Sequence, residues 1–179
     1  NLTVVSPADC AEIVKTVFAA AEFEGPMYIR LTGAANNPAV YKEDYQFEIG
    51  KAITLRKGAD ITIIANGTMV YESLEAAKLL DAGGISTAVV NMHTIKPLDI
   101  AVIDEAVASS KLIVTVEEHS VIGGLGGAIA EYKATIRNAP PQLIIGLPDM
   151  FGKAGDYRYL LEKYGLVAEK IAQRIRAAL

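Results

Sequence analysis

Between Leu112 and Tyr132 the sequence LIVTVEEHSVIGGLGGAIAEY changes its period. Leu112 to Val116 is a β-branched apolar run too short for a helix, whereas Leu125, Ala128, Ile129, Tyr132 and Ile136 recur at three and four residues. A strand therefore ends near Glu117 and a helix begins near Gly124. In an open α/β sheet, side chains just past the carboxyl end of a parallel strand face the ligand crevice, which assigns Glu117, Glu118 and His119 to that rim. Ile129 stands where a dinucleotide fingerprint would carry its third glycine after Gly124 and Gly126, and no phosphate-loop lysine follows. The glycines read instead as a close approach of the helix start to the sheet, with the helix N-terminus still offering N–H groups to an anion.

The segments around this stretch set the fold class. Ile61 to Ala65, Thr87 to Asn91 and Leu143 to Gly146 read as strands; Val70 to Ala82, Ile100 to Ala108 and the residues from Val167 to Leu179 read as helices. That alternation predicts an α/β fold: a doubly wound, mostly parallel sheet with helices on both faces, from about residue 45 to 179. The loops after its strands bring Asn66, His93, the Glu117 to His119 trio and Asp149 to one edge, so Asn66, His93, Glu117, Glu118, His119, Gly124 and Gly126 are the candidate crevice or interface residues.

Residues 1–32 form a separate strand-helix-strand unit. Ser6 is read as the helix N-cap with Pro7 at the first helical position. Cys10, Val14, Val17, Phe18 and Ala21 supply one apolar stripe, which places the Cys10 thiol in the interior and a reducing, cytoplasmic compartment around the chain. Such a unit has no sheet of its own size and reads as the tail of a domain that starts upstream, consistent with a chain that begins at Asn1 without methionine. Residues 33–44 read as a linker.

Composition removes several function classes. A net charge of -4 with no lysine and arginine run argues against nucleic acid or an anionic membrane surface as partner. No apolar stretch approaches the length of a membrane span. His119 beside two carboxylates has the residue types of a general base with its orienting acid, and His93 could join it, yet neighbours on an extended segment point to opposite faces, so only some of the trio can converge on one place. No histidine and carboxylate ligand pair has helical i, i+4 spacing, so no metal site is assigned, and no serine sits in a nucleophile elbow. Phe151, Tyr157, Tyr159 and Tyr164 form an aromatic stretch that reads equally as packing or as a subunit interface.

The segments NMHTIKPLD at Asn91 to Asp99 and TVEEHSVIGGLG at Thr115 to Gly126 resemble two stretches of the C-terminal domain of the thiamine diphosphate enzymes of the transketolase group. Ile61 to Gly67 with the helix after it resembles that domain's first strand and crossover, and Ser6 to Leu31 resembles the end of the preceding pyrimidine-binding domain. The resemblance implies a piece of an enzyme that transfers two-carbon ketol units between sugar phosphates with thiamine diphosphate and Mg2+. It assigns no catalytic, cofactor-binding or metal residue to this chain. The family's GDG motif and its Asn-Asn magnesium ligands have no match, Asn36 and Asn37 included, and the glutamate that activates the cofactor lies upstream. Sugar-phosphate relatives tend to carry an arginine where this sequence has Gly33, which leaves Arg30 as the candidate for substrate phosphate. The implied partners are the remaining transketolase domains or an N-terminal subunit, in a homodimer that the chain supports while inactive by itself. Alternatives are the same domain of deoxyxylulose phosphate synthase or of a 2-oxoacid dehydrogenase beta subunit, and, in a different class, a regulatory module binding an anion at the Glu117 to Gly127 rim.

Overall fold

The near-continuous apolar runs Ile61 to Ala65 and Leu112 to Val116 demand burial on both faces of a sheet, and the computed structural model shows it. It describes residues 1–32 and 37–179; Gly33 and Asn36, both weighed above, lie outside the described residues. The elements are β1 (Thr3–Val5), α1 (Cys10–Glu22), β2 (Met27–Ile29), β3 (Ile53–Arg56), β4 (Ile61–Ala65), α2 (Met69–Asp81), β5 (Thr87–Asn91), β6 (Thr94–Lys96), α3 (Ile100–Ser109), β7 (Leu112–Ser120), α4 (Leu125–Lys133), β8 (Gln142–Leu147), α5 (Tyr157–Tyr164) and α6 (Ala168–Ala178).

Five strands form one sheet in the order β3-β5-β4-β7-β8. The pairs β4/β5, β4/β7 and β7/β8 are parallel, and β3 closes one edge antiparallel to β5. Ile61, Ile63, Ala65, Val114 and Val116 pack under α2 and α6, with Leu161 of α5. Ile64, Val90 and Ile113 face the other way, onto Ile103 of α3 and Leu125 and Ile129 of α4. The strands are buried on both faces, as a doubly wound sheet requires.

A second sheet of three strands, β2-β1-β6, was not read from the sequence. β6 leaves the large sheet two residues after β5 and pairs antiparallel with β1, which itself pairs parallel with β2. Ser6 N donates to the His93 carbonyl at 2.7 Å and Gly67 N donates to the Ser6 carbonyl at 3.1 Å. The amino-terminal unit is thus sewn to the large sheet through its backbone.

Three expectations about α1 are corrected. The N-cap is Asp9, not Ser6, and Cys10 rather than Pro7 opens the helix, because Ser6 is held extended by those two backbone bonds. Cys10 is exposed. The apolar stripe points outward, with Phe18 72% exposed and Val14 and Val17 more than half so, while the buried side chains are Glu12 and Thr16. The polar face turns inward because segment 37–48 supplies it with hydrogen-bonding partners.

Candidate functional site

The chain leaves β4 toward β5 on one side and later returns to place β7 on the other, so the carboxyl ends of β4 and β7 mark the switch point of the sheet. A crevice of about 540 Å3 opens there. Its walls are Asn66 after β4, Glu117 and His119 of β7, Gly123 and Gly124, and, from the small sheet, Val4, Tyr28, Arg30 and Lys96. Of the residues assigned to the rim, Asn66, Glu117, His119 and Gly124 line this crevice, and the small sheet provides its second wall.

The three residues of the trio go three ways. β7 runs to Ser120, so Glu117, Glu118 and His119 lie within the strand and alternate. Glu117 is buried, and its carboxylate accepts from Leu125 N at 2.8 Å and Gly126 N at 2.9 Å. It caps the N-terminus of α4, where the helix dipole favours a negative charge. Glu118 faces the opposite side and accepts at Oε2 from Thr68 Oγ1 at 2.6 Å and from the Tyr157 hydroxyl at 2.7 Å. His119 is exposed, with Nδ1 4.0 Å from the nearest Glu117 oxygen, beyond hydrogen-bond reach. No two of these side chains form an acid-base pair.

The same geometry removes the location of the anion module. The N–H groups at the start of α4 already hold a carboxylate of the protein itself, in the place a ligand anion would occupy. The glycines serve that arrangement. A Cβ on Gly124 would fall inside the Glu117 carboxylate, and one on Gly126 would lie 2.6 Å from Ile144 and 2.9 Å from Thr115 Oγ1. Arg30 lines the crevice and donates from Nη2 to the Glu118 carbonyl at 2.7 Å.

His93 lies apart from the crevice. It is fully buried, its ring 4.4 Å from that of Phe47, with Nδ1 and Thr94 Oγ1 3.0 Å apart. Burial brings its pKa down to about 4, against the raising influence of the Lys51 backbone and the Asp99 charge. A histidine held neutral in this way contributes stability fully above its unfolded pKa of 6.5, and loses it as the pH falls toward about 4. Relative to His93→Gln, the wild type is expected to lose roughly 3 kcal/mol across that window, checked by urea unfolding at a series of pH values. Parallel pH profiles for the two proteins would refute it.

Sequence reading missed a second polar centre, at Glu12. This carboxylate is fully buried and accepts from Ala8 N at 2.6 Å, Asn91 Nδ2 at 2.8 Å and the Tyr41 hydroxyl at 3.0 Å, with no cation among these donors. Burial is the main cause raising its pKa, and the Asp9 charge adds to it. Asp9 accepts from Glu12 N with one oxygen and from Val40 N and Tyr41 N with the other. Tyr41 and Tyr45 stack at 3.7 Å over this centre, and Lys15 reaches Asp44 at 2.6 Å. Segment 40–45 is thereby strapped to α1. The available signal was Asp9-x-x-Glu12, the spacing of a capping box.

The aromatic stretch divides as well. Tyr157 turns inward to Glu118, Tyr164 accepts from Lys153 N at 3.2 Å, and Tyr159 is exposed. Arg158 pairs with Glu72, whose other oxygen accepts from Ala168 N at 2.7 Å and so caps α6.

The model of the family described as transketolase, C-terminal domain, matches residues 50–171. The chain belongs to the transketolase C-terminal domain family. A putative transketolase C-terminal section from Methanocaldococcus jannaschii is 43% identical over 178 residues, covering 98% of this chain and 55% of that protein. A 1-deoxy-D-xylulose-5-phosphate synthase from Dictyoglomus thermophilum is 36% identical over 180 residues, covering all of this chain and 29% of the synthase. The solved structure of a split gene transketolase, an inactive beta4 tetramer, superposes with a TM-score of 0.91 at 44% identity, over all of this chain and 57% of the other. The chain spans about half the length of the first two curated relatives it matches. Both motif stretches quoted above fall inside the family match, at β5 to α3 and at β7 to α4.

Proposed function

We propose that this chain is the C-terminal part of a transketolase-type enzyme that transfers two-carbon ketol units between sugar phosphates, and that it supports assembly while inactive by itself. The observation that carries this reading is the end-to-end likeness to a split gene transketolase, in fold and at 44% identity. Residues 1–32 are then the tail of the pyrimidine-binding domain, 33–44 the linker and 45–179 the C-terminal domain. The outward apolar stripe of α1 and the outer edge of β2, unpaired among the described residues, support this, since an upstream α/β unit would cover the one and extend the other.

The thiamine diphosphate and Mg2+ of such an enzyme do not fit the carboxylates described here. Glu12, Glu72, Glu117 and Glu118 each already accept hydrogen bonds from the protein, so no cofactor-binding or metal role is assigned to them. Arg30 is the side chain through which this chain would meet a sugar phosphate, from the wall of the crevice. The parent is read as a cytoplasmic homodimer completed by the remaining transketolase domains or an N-terminal subunit. Among the described residues no helix is long and apolar enough to cross a membrane.

The test is calorimetric titration of the chain with thiamine diphosphate and Mg2+, alone and with the upstream portion of its parent. The expected result is no binding heat from the chain alone, and binding with ketol transfer after reconstitution. Heat from the chain alone, or reconstitution without ketol transfer, would overturn the reading. The second outcome, with deoxyxylulose phosphate formed instead, favours the synthase, to which the 36% identity over the whole chain already gives weight.

A further inference from the structure

The crevice at the switch point has two unlike walls. On the small sheet, Val4 of β1 stands opposite Tyr28 of β2 and Lys96 of β6, so these side chains form one row across the strands. Arg30 follows Tyr28 by two residues on the same face, and all four line the crevice. Arg30 donates from Nη2 to the Glu118 carbonyl at 2.7 Å, which fixes the guanidinium and leaves its remaining N–H groups without a partner among the described residues. Lys96 is exposed and enters no ion pair among them. β2 and β6 lie two strand spacings apart, roughly 10 Å, a gap that two long side chains close around one anion. Beside these cations the Tyr28 ring is 51% exposed. On the opposite wall Asn66 is only 4% exposed, yet its carboxamide takes part in no hydrogen bond among the described residues. A carboxamide so deeply set is costly unless something in the crevice bonds to it.

We infer that this crevice binds a phosphate monoester carried by a flat ring, of the nucleoside monophosphate class. The phosphate lies between Arg30 and Lys96, the ring stacks on Tyr28, and a polar group of the ligand meets the Asn66 carboxamide. Three features select that class. Cations reaching in from separate strands suit the spread oxygens of a phosphate, whereas one guanidinium satisfies a carboxylate. An exposed tyrosine face beside those cations, in a lining otherwise made apolar by Val4, Ile95, Leu98 and Ala128, suits a heterocycle. Glu131 borders the crevice from α4, where a second phosphate would meet a like charge. The volume of about 540 Å3 is that of a small-ligand pocket, and the mouth of the crevice lies beyond the carboxyl ends of β4 and β7, where open α/β sheets take their ligands. The inference goes beyond the proposed function and rests on it only in sharing Arg30, since neither the cofactor nor ketol transfer enters it.

The experiment is an NMR titration of the full chain with adenosine monophosphate, followed at the Arg30 Nε–H and the Asn66 side-chain amide. Both signals are expected to shift saturably. Adenosine, without the phosphate, and ribose 5-phosphate, without the flat ring, should each bind about tenfold more weakly or worse. Thiamine diphosphate with Mg2+ should leave both signals in place, because its ring is cationic and the metal neutralises its phosphates. Lys96→Gln and Tyr28→Leu should each raise the dissociation constant for adenosine monophosphate about tenfold, and Lys96→Arg should keep the wild-type value. The melting temperature should be the same in all three variants, since both side chains are exposed. Absence of a saturable shift overturns the inference, as does binding that survives both Lys96→Gln and Tyr28→Leu. Ribose 5-phosphate binding as tightly as the nucleotide also overturns it, by removing the ring from the recognition. Ketol transfer after reconstitution, without nucleotide binding here, leaves the proposed function standing alone; nucleotide binding without ketol transfer does the reverse.

Discussion

Gly124→Ala is expected to cost about 3 kcal/mol or more of folding stability, read as a fall in the urea midpoint with an unchanged slope. Gly124 has φ −102, so the backbone accepts any residue and the loss comes from contact alone. Its new methyl group takes the space of the Glu117 carboxylate. Moving that carboxylate leaves Leu125 N and Gly126 N without their acceptor and a buried charge without its donors, each a costly vacancy. The decisive comparison is a double-mutant cycle. In a Glu117→Ala background the same Gly124→Ala change should cost less by about 2 kcal/mol, because nothing remains to be displaced. An equal cost in both backgrounds would show that the glycine serves something other than this cap.

Glu12→Ala is the second large effect, also about 3 kcal/mol, because Ala8 N, Asn91 Nδ2 and the Tyr41 hydroxyl lose their common acceptor inside the protein. Segment 40–45 should also become more accessible to protease in this variant, since the bonds of Tyr41 and Tyr45 to Glu12 are lost and only those to Asp9 and Lys15 remain. Glu12→Gln separates charge from shape. Burial in the folded state raises the pKa of Glu12 above its ordinary value of 4.5, so it holds the proton more tightly than the unfolded chain does. Below about 4.5 the carboxyl is protonated in both states; as the pH rises through the window above it, ionisation becomes a cost borne by the folded state alone. The stability of Glu12→Gln relative to wild type should therefore improve as the pH rises through that window. A relative stability that worsens instead would mean that the hydrogen bonds outweigh burial, and that the carboxylate is welcome where it lies.

Glu12 and His93 together give the chain two opposed acid responses. Raising the pH restores what a buried neutral histidine contributes, and it removes what a buried protonated glutamate contributes. Both groups lie where the amino-terminal unit meets the large sheet. Glu12 reaches Asn91 at the end of β5, and His93 sits two residues further on, its carbonyl bonded to Ser6. Ionisation and packing are therefore linked at the junction between the two sheets.

The large sheet was legible because β-branched runs and three-and-four spacing are local properties, and local propensity here agrees with the fold. Ile61 to Ala65 and Thr87 to Asn91 form strands with the boundaries expected. The switch-point crevice followed from topology and the positions of strand ends. The orientation of α1 did not follow, because a stripe of Val14, Val17 and Phe18 states only that one face is apolar. Which face turns inward depended on Asn91, Tyr41 and Asp9, from parts of the chain as far as 79 residues from Glu12. That Glu118 faces away from Glu117 and His119 followed from strand alternation, but the partners of the three did not.

From sequence alone, then, came the alternating strands and helices, the strand-to-helix change at Glu117 to Gly124 and the resemblance to the transketolase group, all carried by short-range periodicity and contiguous motifs. Tertiary structure decided what each polar residue is for. Glu117 became a helix cap, Glu118 a tie to Thr68 and Tyr157, His93 a buried neutral ring and Glu12 the acceptor that straps segment 40–45. A carboxylate in a sequence carries the same charge wherever it stands, whereas its role depends on burial and on which donors the fold brings to it from distant positions.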